Sequence, residues 1–175
     1  MKILNTSSRY GIVSQGLHWF TAALVVILVL TGKMGDPEPE AGNALYWWHG
    51  SLRLLVLLLV IARVLWRIVS PPPPAPIGQS RLAGHLAHAL HFLFYLLLVA
   101  LPLSGGLAAA EQGGAVSFFG LVTLPTWAAS SGGEFFEEMH EVLGNALLVV
   151  VLLHALAALK HHYVDKDDVL TRMLP

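Results

Sequence analysis

The nine histidines are the residues of this sequence with the clearest chemical potential, because most of them lie in or beside long apolar segments. An ionisable side chain inside a membrane helix is costly and usually has a function. His140 and His154 are fourteen residues apart. This is nearly four α-helical turns, so both side chains face the same way, about 21 Å apart along the axis. A single helix therefore offers ligands on one face at two levels.

Two further histidines complete these levels. His18 lies about 9 Å deep in the first apolar segment, and His154 lies about 13 Å deep from the same side. His49 and His140 each lie near the opposite side, close to the start of their segments. The sequence therefore predicts an inner pair, His18 with His154, and an outer pair, His49 with His140.

Each predicted pair favours a metal held between two opposed imidazoles. Zinc needs four protein ligands, or three and a water, in one cluster, whereas each level has two histidines and the chain has no cysteine. A haem iron needs only two axial ligands, and when both are histidine its task is electron transfer. Two haems are the preferred interpretation. The alternatives are histidines that only bond neighbouring helices, and a metal or proton transporter without haem.

Other polar residues near the two levels are candidates for contacts with the haems or with a quinone. Arg53 lies one turn from His49 on the same face, and Arg63 and Arg67 lie one turn apart at the inner end of that segment. Arginine suits a haem propionate, although inner arginines also serve as membrane anchors. Four further histidines near the inner side could serve a quinone headgroup, whose reduction consumes protons: His88, His91, His161 and His162. Solvated interfacial histidines, or cations at a helix C-terminus, are the plainer interpretation of these four.

The elements that position these residues are four apolar segments. Hydrophobic residues make up 55% of the chain and charged residues 12%, against about 45–50% and about 25% in soluble domains. A bilayer core needs about 20 residues of helix, and residues 12–32, 44–69, 84–110 and 139–163 are long enough. The sequence predicts an all-α integral membrane protein with one domain, residues 1–175, built as a bundle of four transmembrane helices. The linker 111–136 is expected to carry irregular or short helical structure over the outer face.

Lysine and arginine placement orients this bundle. Eight cations lie on one side: Lys2, Arg9, Arg63, Arg67, Arg81, Lys160, Lys166 and Arg172. The other side carries Lys33, with Arg53 about two turns inside, and is otherwise acidic. Both termini and the polyproline stretch 71–76 are therefore predicted to be cytoplasmic. The net charge of −1 gives no sign of a nucleic-acid partner, and the acidic outer face suits a basic redox protein.

Five pieces of the chain together resemble the bacterial cytochrome b561 family, in its quinone-linked, superoxide-oxidising branch. They are Tyr10 with Leu17–His18–Trp19; His49 and the leucine-rich stretch to Arg63 and Arg67; His88 and His91 with Tyr95, Ala100–Leu101–Pro102 and Gly105 or Gly106; Phe119–Gly120–Leu121 near Pro125; and His140–Glu141 with His154, His161–His162–Tyr163, Lys166–Asp167 and Arg172–Met173–Leu174–Pro175. The last piece is the most specific, and the resemblance covers nearly the whole chain.

The resemblance implies a four-helix protein of the bacterial inner membrane with two b-type haems. It implies His18, His49, His140 and His154 as their ligands and ubiquinone as the partner in the lipid bilayer. The activity implied is that of a superoxide:ubiquinone oxidoreductase, with superoxide oxidised at the periplasmic side. The alternative is a cytochrome b subunit that carries electrons between the quinone pool and a partner redox protein, such as a dehydrogenase or a periplasmic cytochrome.

Overall fold

A computed structural model describes residues 2–34, 44–76, 80–111, 116–124 and 133–175. These residues form four long helices: α1 Ile12–Met34, α2 Ala44–Val69, α3 Arg81–Glu111 and α4 Gly133–Lys160. α4 continues into a π-helical turn, His161–Asp165. The four predicted helices are confirmed. The bounds of α2 agree with the prediction, whereas α3 and α4 begin three and six residues earlier than predicted.

Within the described residues, three helical stretches are long and apolar enough to cross a membrane: α1, α3, and α4 together with its π-helical turn. α2 has 26 residues but carries Arg53, Arg63 and Arg67, and it is not among these three. Large apolar side chains face outward along the bundle; Ile68, for example, is 74% exposed. Such a surface is stable in lipid and unusual in water, so the fold is that of a helical membrane protein.

The bundle is held together midway between the two histidine levels. α1 packs on α2, α2 on α3, and α3 on α4. Every helix contributes two buried residues to the central cluster: Leu24 and Val25, Val56 and Val60, Leu97 and Leu98, and Leu147 and Val150. In α4 these residues lie between His140 and His154, so close apolar packing separates the two levels.

A short β-hairpin lies in the linker between α3 and α4. Its strands are β1 Val116–Phe118 and β2 Val122–Leu124, paired antiparallel. The expectation of irregular or short helical structure is therefore wrong for residues 116–124. Valine, phenylalanine and threonine favour strands, and Gly120 takes a positive φ of 73° in the connecting turn, where glycine costs nothing.

The hairpin is fixed to α2 by one buried hydroxyl. Ser51 accepts a hydrogen bond from the Phe119 N–H at 3.2 Å and donates to the carbonyl of Ser117 at 3.3 Å. The ring of Phe119 also lies edge-on to Trp47 and Trp48. Ser51 is two residues after His49 in the chain. The hairpin is therefore attached to the outer end of α2.

The two chain termini meet at the opposite end of the bundle. The Gln15 amide donates to the carbonyls of Arg172 and Leu174, and Trp19 Nε1 donates to that of Met173 at 2.9 Å. The N–H of Asn5 donates to Ser70 Oγ just after α2 ends. Both termini therefore lie on the side of the bundle that carries most of the cations.

Candidate cofactor sites

The structure brings the four predicted ligands together in the two predicted pairs. The ring centroids of His49 and His140 are 6.1 Å apart, and those of His18 and His154 are 6.2 Å apart. A ring nitrogen binds a metal at about 2 Å and lies about 1.1 Å from its ring centroid, so imidazoles on opposite sides of one ion have centroids about 6.2 Å apart. Both separations therefore fit one ion between opposed rings.

Neither pair has the further ligands that zinc requires. In the described part of the chain, the group of three histidine or carboxylate ligands that could hold a metal is His161, Asp165 and Asp167. That group lies in and beside the π-helical turn, away from both pairs. Two imidazoles without carboxylate or thiolate fit an iron whose other four positions are filled by a haem.

The α3 backbone orients the outer ligand His140. Its Nδ1 lies 3.1 Å from the carbonyl of Leu101 and 3.1 Å from Ser104 Oγ, which itself donates to that carbonyl. A carbonyl only accepts, so the proton is on Nδ1 and the lone pair on Nε2. Metal-binding histidines commonly have this arrangement, with the second ring nitrogen donating to a carbonyl.

Gly105 leaves the space that His140 occupies. A Cβ at this position would lie 2.9 Å from Cε1 and 3.0 Å from Nδ1 of His140, and 3.2 Å from a guanidinium nitrogen of Arg53. The stretch Leu101–Gly105 therefore supplies the carbonyl that accepts the hydrogen bond of the His140 ring, and its glycine leaves the space that the ring occupies.

α1 orients the other outer ligand, His49, in a similar way. The hydroxyl of Thr31 donates to the carbonyl of Ile27 at 2.8 Å, so it accepts from His49 Nδ1 at 3.1 Å. A Cβ at Gly32 would lie 3.3 Å from His49 Cε1. Both outer rings thus have Nδ1 engaged by protein and Nε2 available for a metal.

The inner pair is surrounded by rings. The ring of His154 lies 5.7 Å from that of His91 and 5.3 Å from that of Phe94, and His18 lies beside Trp19. Among the described residues, no protein group hydrogen-bonds to the ring nitrogens of His18 or His154. The position of His91 next to His154 could not be read from the sequence, because it depends on how α3 is rotated against α4.

A cleft with an empty volume of about 710 Å³, including the part open to the surroundings, lies at the outer pair. Its lining includes both outer histidines with Arg53, Lys33 and Gly144. Arg53 is 7% exposed, and its Nε has no hydrogen-bond partner in the part of the chain that the structure describes. A buried cation with an unused donor indicates an anionic group in this cleft, which fits a haem propionate.

Sequence reasoning did not place Lys33 in this cleft. Its ammonium donates to Asn145 Oδ1 on α4 at 2.8 Å, and both residues line the cleft. The sequence shows this lysine only as a charge at the outer end of α1, because the helix packing that brings it to α4 has no signal in the sequence.

The remaining candidates lie at the inner end. Arg63 and Arg67 line a second cleft, and the Nδ1 atoms of His88 and His91 bond to carbonyls one turn back in α3. His161 Nδ1 bonds to Asp167 Oδ2 at 2.6 Å, while the ring of His162 lies against Tyr163. His91 lies close enough to Arg63, Arg67 and His88 to interact with them electrostatically, whereas His161 and His162 contact Asp167 and Tyr163 instead.

The π-helical turn folds Asp167 back onto His161. Lys166 adopts a left-handed conformation, and the Asp167 N–H donates to the His161 carbonyl at 3.1 Å. Burial is the largest single influence and raises the pKa of Asp167, but hydrogen bonds from the Val169 N–H and from His161 outweigh it, so the pKa lies below its ordinary value. Asp167 is therefore an ionised partner for His161 at neutral pH.

Known proteins match this chain over nearly its whole length. A model of the prokaryotic cytochrome b561 family covers residues 9–175. The chain is 35% identical to cytochrome b561 homolog 2 of Escherichia coli K12, across 99% of this chain and 95% of that protein. It is 33% identical to the probable superoxide oxidase CybB of Yersinia pestis, across 95% and 96%.

A third relative, cytochrome b562 of Cereibacter sphaeroides, is 28% identical across 90% of each chain. The family match, the helical bundle and the paired histidines all indicate a membrane protein of electron transport that binds b-type haem. The chain belongs to the prokaryotic cytochrome b561 family.

Proposed function

We propose that this protein carries electrons across the bacterial inner membrane, from superoxide at the periplasmic side to ubiquinone in the membrane. The observation that supports this most is the presence of two histidine pairs, each spaced for one ion, at two levels of one bundle. Two b-type haems, when bound there, would each accept and release one electron at a time. Superoxide as donor rests on the name of the Yersinia pestis relative.

All four helices span the membrane in this proposal. At about 1.5 Å per residue, the 26 residues of α2 reach about 39 Å, which exceeds a hydrocarbon core of about 30 Å. Arg53 is buried in the bundle, so its charge does not meet lipid. The end where both termini lie carries the excess of lysine and arginine, which favours the cytoplasm. A fluorescent reporter that matures only in the cytoplasm, fused after Pro175, should therefore fluoresce.

The histidines are ligands in pairs in this proposal: His49 with His140 for the outer haem, and His18 with His154 for the inner haem. Arg53 neutralises a propionate of the outer haem, and Arg63 and Arg67, which line the inner cleft, are candidates for contact with a propionate of the inner one. The single domain, residues 1–175, holds both haems, because α4 supplies one ligand to each.

Arg53→Gln should lower the midpoint potential of the outer haem. A buried cation stabilises the ferrous state, because the reduced haem has one positive charge fewer. At a separation of about 8 Å and an effective dielectric constant of about 20, the interaction is roughly 2 kcal/mol, or about 90 mV for one electron. A redox titration followed at the haem absorption bands would measure it. Arg81→Gln, at the exposed start of α3, is the control and should leave both potentials in place.

Lys33→Gln should slow haem reduction by superoxide. The outer end is acidic overall, but the exposed Lys33 lines the outer cleft, so an anion meets a positive charge beside the outer histidines. Removing the exposed cation should lower the second-order rate constant about 3- to 10-fold at low ionic strength, and Lys33→Glu should lower it further. Stopped-flow mixing with superoxide, repeated at several salt concentrations, measures both effects.

Glu141→Gln is the opposite-sign control for the lysine variants, because Glu141 lines the same cleft. It should raise the rate. Reduction by an uncharged donor should be unchanged in all of these variants. Equal superoxide rates in the wild type and both lysine variants would show that superoxide does not enter through this cleft.

A cytochrome b subunit that serves a partner redox protein is the second candidate. The outer start of α4 exposes four carboxylates, Glu134, Glu137, Glu138 and Glu141, which suit a basic docking partner. Haem reduction by such a partner, with no reduction by a superoxide pulse, would favour this function over the first.

Ubiquinone is the acceptor at the inner end in this proposal. Each quinone takes up two electrons and two protons to become a quinol. His161 is held by Asp167, and His162, His88 and His91 lie toward the same end, so these four histidines remain candidates for contacts with the headgroup or for proton supply.

A further inference from the structure

A second cleft, with an empty volume of about 380 Å³, opens at the inner end between the N-terminal segment, α2 and α3. One wall is a chain of hydrogen bonds in which each donor has its acceptor. Trp66 Nε1 donates to Ser14 Oγ at 3.0 Å, and Ser14 Oγ donates to Asn5 Oδ1 at 2.7 Å. The Asn5 N–H and side-chain amide in turn donate to Ser70 just after α2. This wall is therefore preorganised and its donors are used internally.

The other polar groups of this cleft are donors without acceptors. They are the hydroxyls of Tyr10 and Tyr95 and the guanidinium groups of Arg63 and Arg67. Across the ranges that the structure describes, none of these four side chains has a hydrogen bond or an ion pair. Arginine only donates, and a tyrosine hydroxyl has one proton to give. The cleft therefore offers four unused donors to a ligand rich in acceptor oxygens.

Tyr10 remains a donor at neutral pH. Burial raises the pKa of its hydroxyl above the ordinary value, although the positive charges of Arg67 and Arg172 act in the other direction. The hydroxyl therefore keeps its proton for a ligand instead of becoming a second anion beside the arginines.

The cleft lies beside the inner histidine pair. Leu17, which lines it, is the chain neighbour of His18. Arg63 is near enough to His18 and His154 to interact electrostatically with both, and it interacts with Tyr10 and Tyr95 as well. A ligand in this cleft would therefore contact Arg63, whose charge also acts on the inner pair.

We propose that this cleft binds the ubiquinone headgroup, with Tyr10, Tyr95 and Arg67 donating hydrogen bonds to its oxygens. The headgroup has two carbonyl and two methoxy oxygens and no donor, which matches the unused donors. The inference rests on the proposed function, and it states where in the protein the electron acceptor ubiquinone binds. Reduction of the bound headgroup to the quinol would take two electrons, supplied one at a time by way of the inner haem, and two protons from the cytoplasmic side, so that both carbonyls would become hydroxyls. The rival ligand is a propionate of the inner haem, which is also an acceptor.

The test is haem reoxidation by a ubiquinone with one isoprene unit, using haem-loaded protein reduced beforehand with dithionite. Tyr10→Phe and Tyr95→Phe should each raise the KM for quinone about 3- to 10-fold, and Arg67→Gln about 10-fold or more, since a charged donor is the stronger. Haem content and both midpoint potentials should stay unchanged in the tyrosine variants. Tyr163→Phe and Arg81→Gln, at exposed positions of the same end, are the controls and should keep the wild-type KM.

Unchanged KM in both tyrosine variants would overturn the inference, whatever Arg67→Gln does. A lower potential or lost absorbance of the inner haem in the tyrosine variants, with unchanged KM, would assign the cleft to the haem propionates. A wild-type protein that is reoxidised by ferricyanide but not by quinone would instead refute ubiquinone as the acceptor. These results separate an error in the position of the site from an error in the proposed function.

Discussion

His49→Ala and His140→Ala should each remove one haem per chain and leave the second in place. Each proposed site has two protein ligands to iron, so the loss of one leaves a single imidazole and an open coordination position. The two levels are about 21 Å apart along α4, and effects at such separations are usually independent. The purified variants should contain one haem by the pyridine haemochromogen assay, against two in the wild type.

The inner ligands should give the complementary result. His18→Ala and His154→Ala should also contain one haem, but the surviving component in a redox titration should be the one that the outer variants lack. His85→Ala is the control, because His85 is an exposed histidine outside both pairs, and it should retain two haems.

A variant that loses both haems while its helical circular dichroism persists would contradict independent sites. Loss of the same component from His18→Ala and His49→Ala would contradict the pairing itself. A His18→Ala/His49→Ala double variant should be colourless, since neither level then keeps both ligands.

Pairing could be predicted from the sequence because the bilayer limits the possible depths. A helix rises by a fixed amount per residue, so the positions of His18, His49, His140 and His154 in four apolar segments determine which of them share a level. Polar residues are rare in such segments, so these four stand out. The separations of 6.1 and 6.2 Å agree with that prediction.

Groups that depend on helix rotation could not be predicted. The acceptor of His140 is the carbonyl of Leu101 on α3, and a carbonyl has no sequence signal. Lys33 lies in the outer cleft only because α1 ends against Asn145 of α4. The hairpin of residues 116–124 was missed because its strands have three residues each, too few for an alternating pattern.

The two glycines of the α3 stretch Leu101–Gly106 separate cofactor effects from helix effects. Gly105→Ala should displace His140 and Arg53, since its Cβ would lie 2.9 Å from the ring, a distance at which the neighbour must move. The ring would lose its hydrogen bond to the Leu101 carbonyl and the orientation that the proposed iron ligation requires. Haem content should fall from two toward one per chain, with the outer component lost in a redox titration.

Gly106→Ala is the matched control, because a Cβ there meets nothing within 4 Å. Alanine is favoured over glycine in a helix interior by about 1 kcal/mol, so both substitutions should strengthen α3 as a helix. Gly106→Ala should therefore keep two haems and unfold no more easily than the wild type. Gly105→Ala gains the same helix propensity as Gly106→Ala. If only Gly105→Ala loses the outer haem, the loss must therefore come from its contact with His140. Equal haem content in the two variants would mean that His140 does not need the space at Gly105, and that its orientation in the haem-loaded protein differs from the one described.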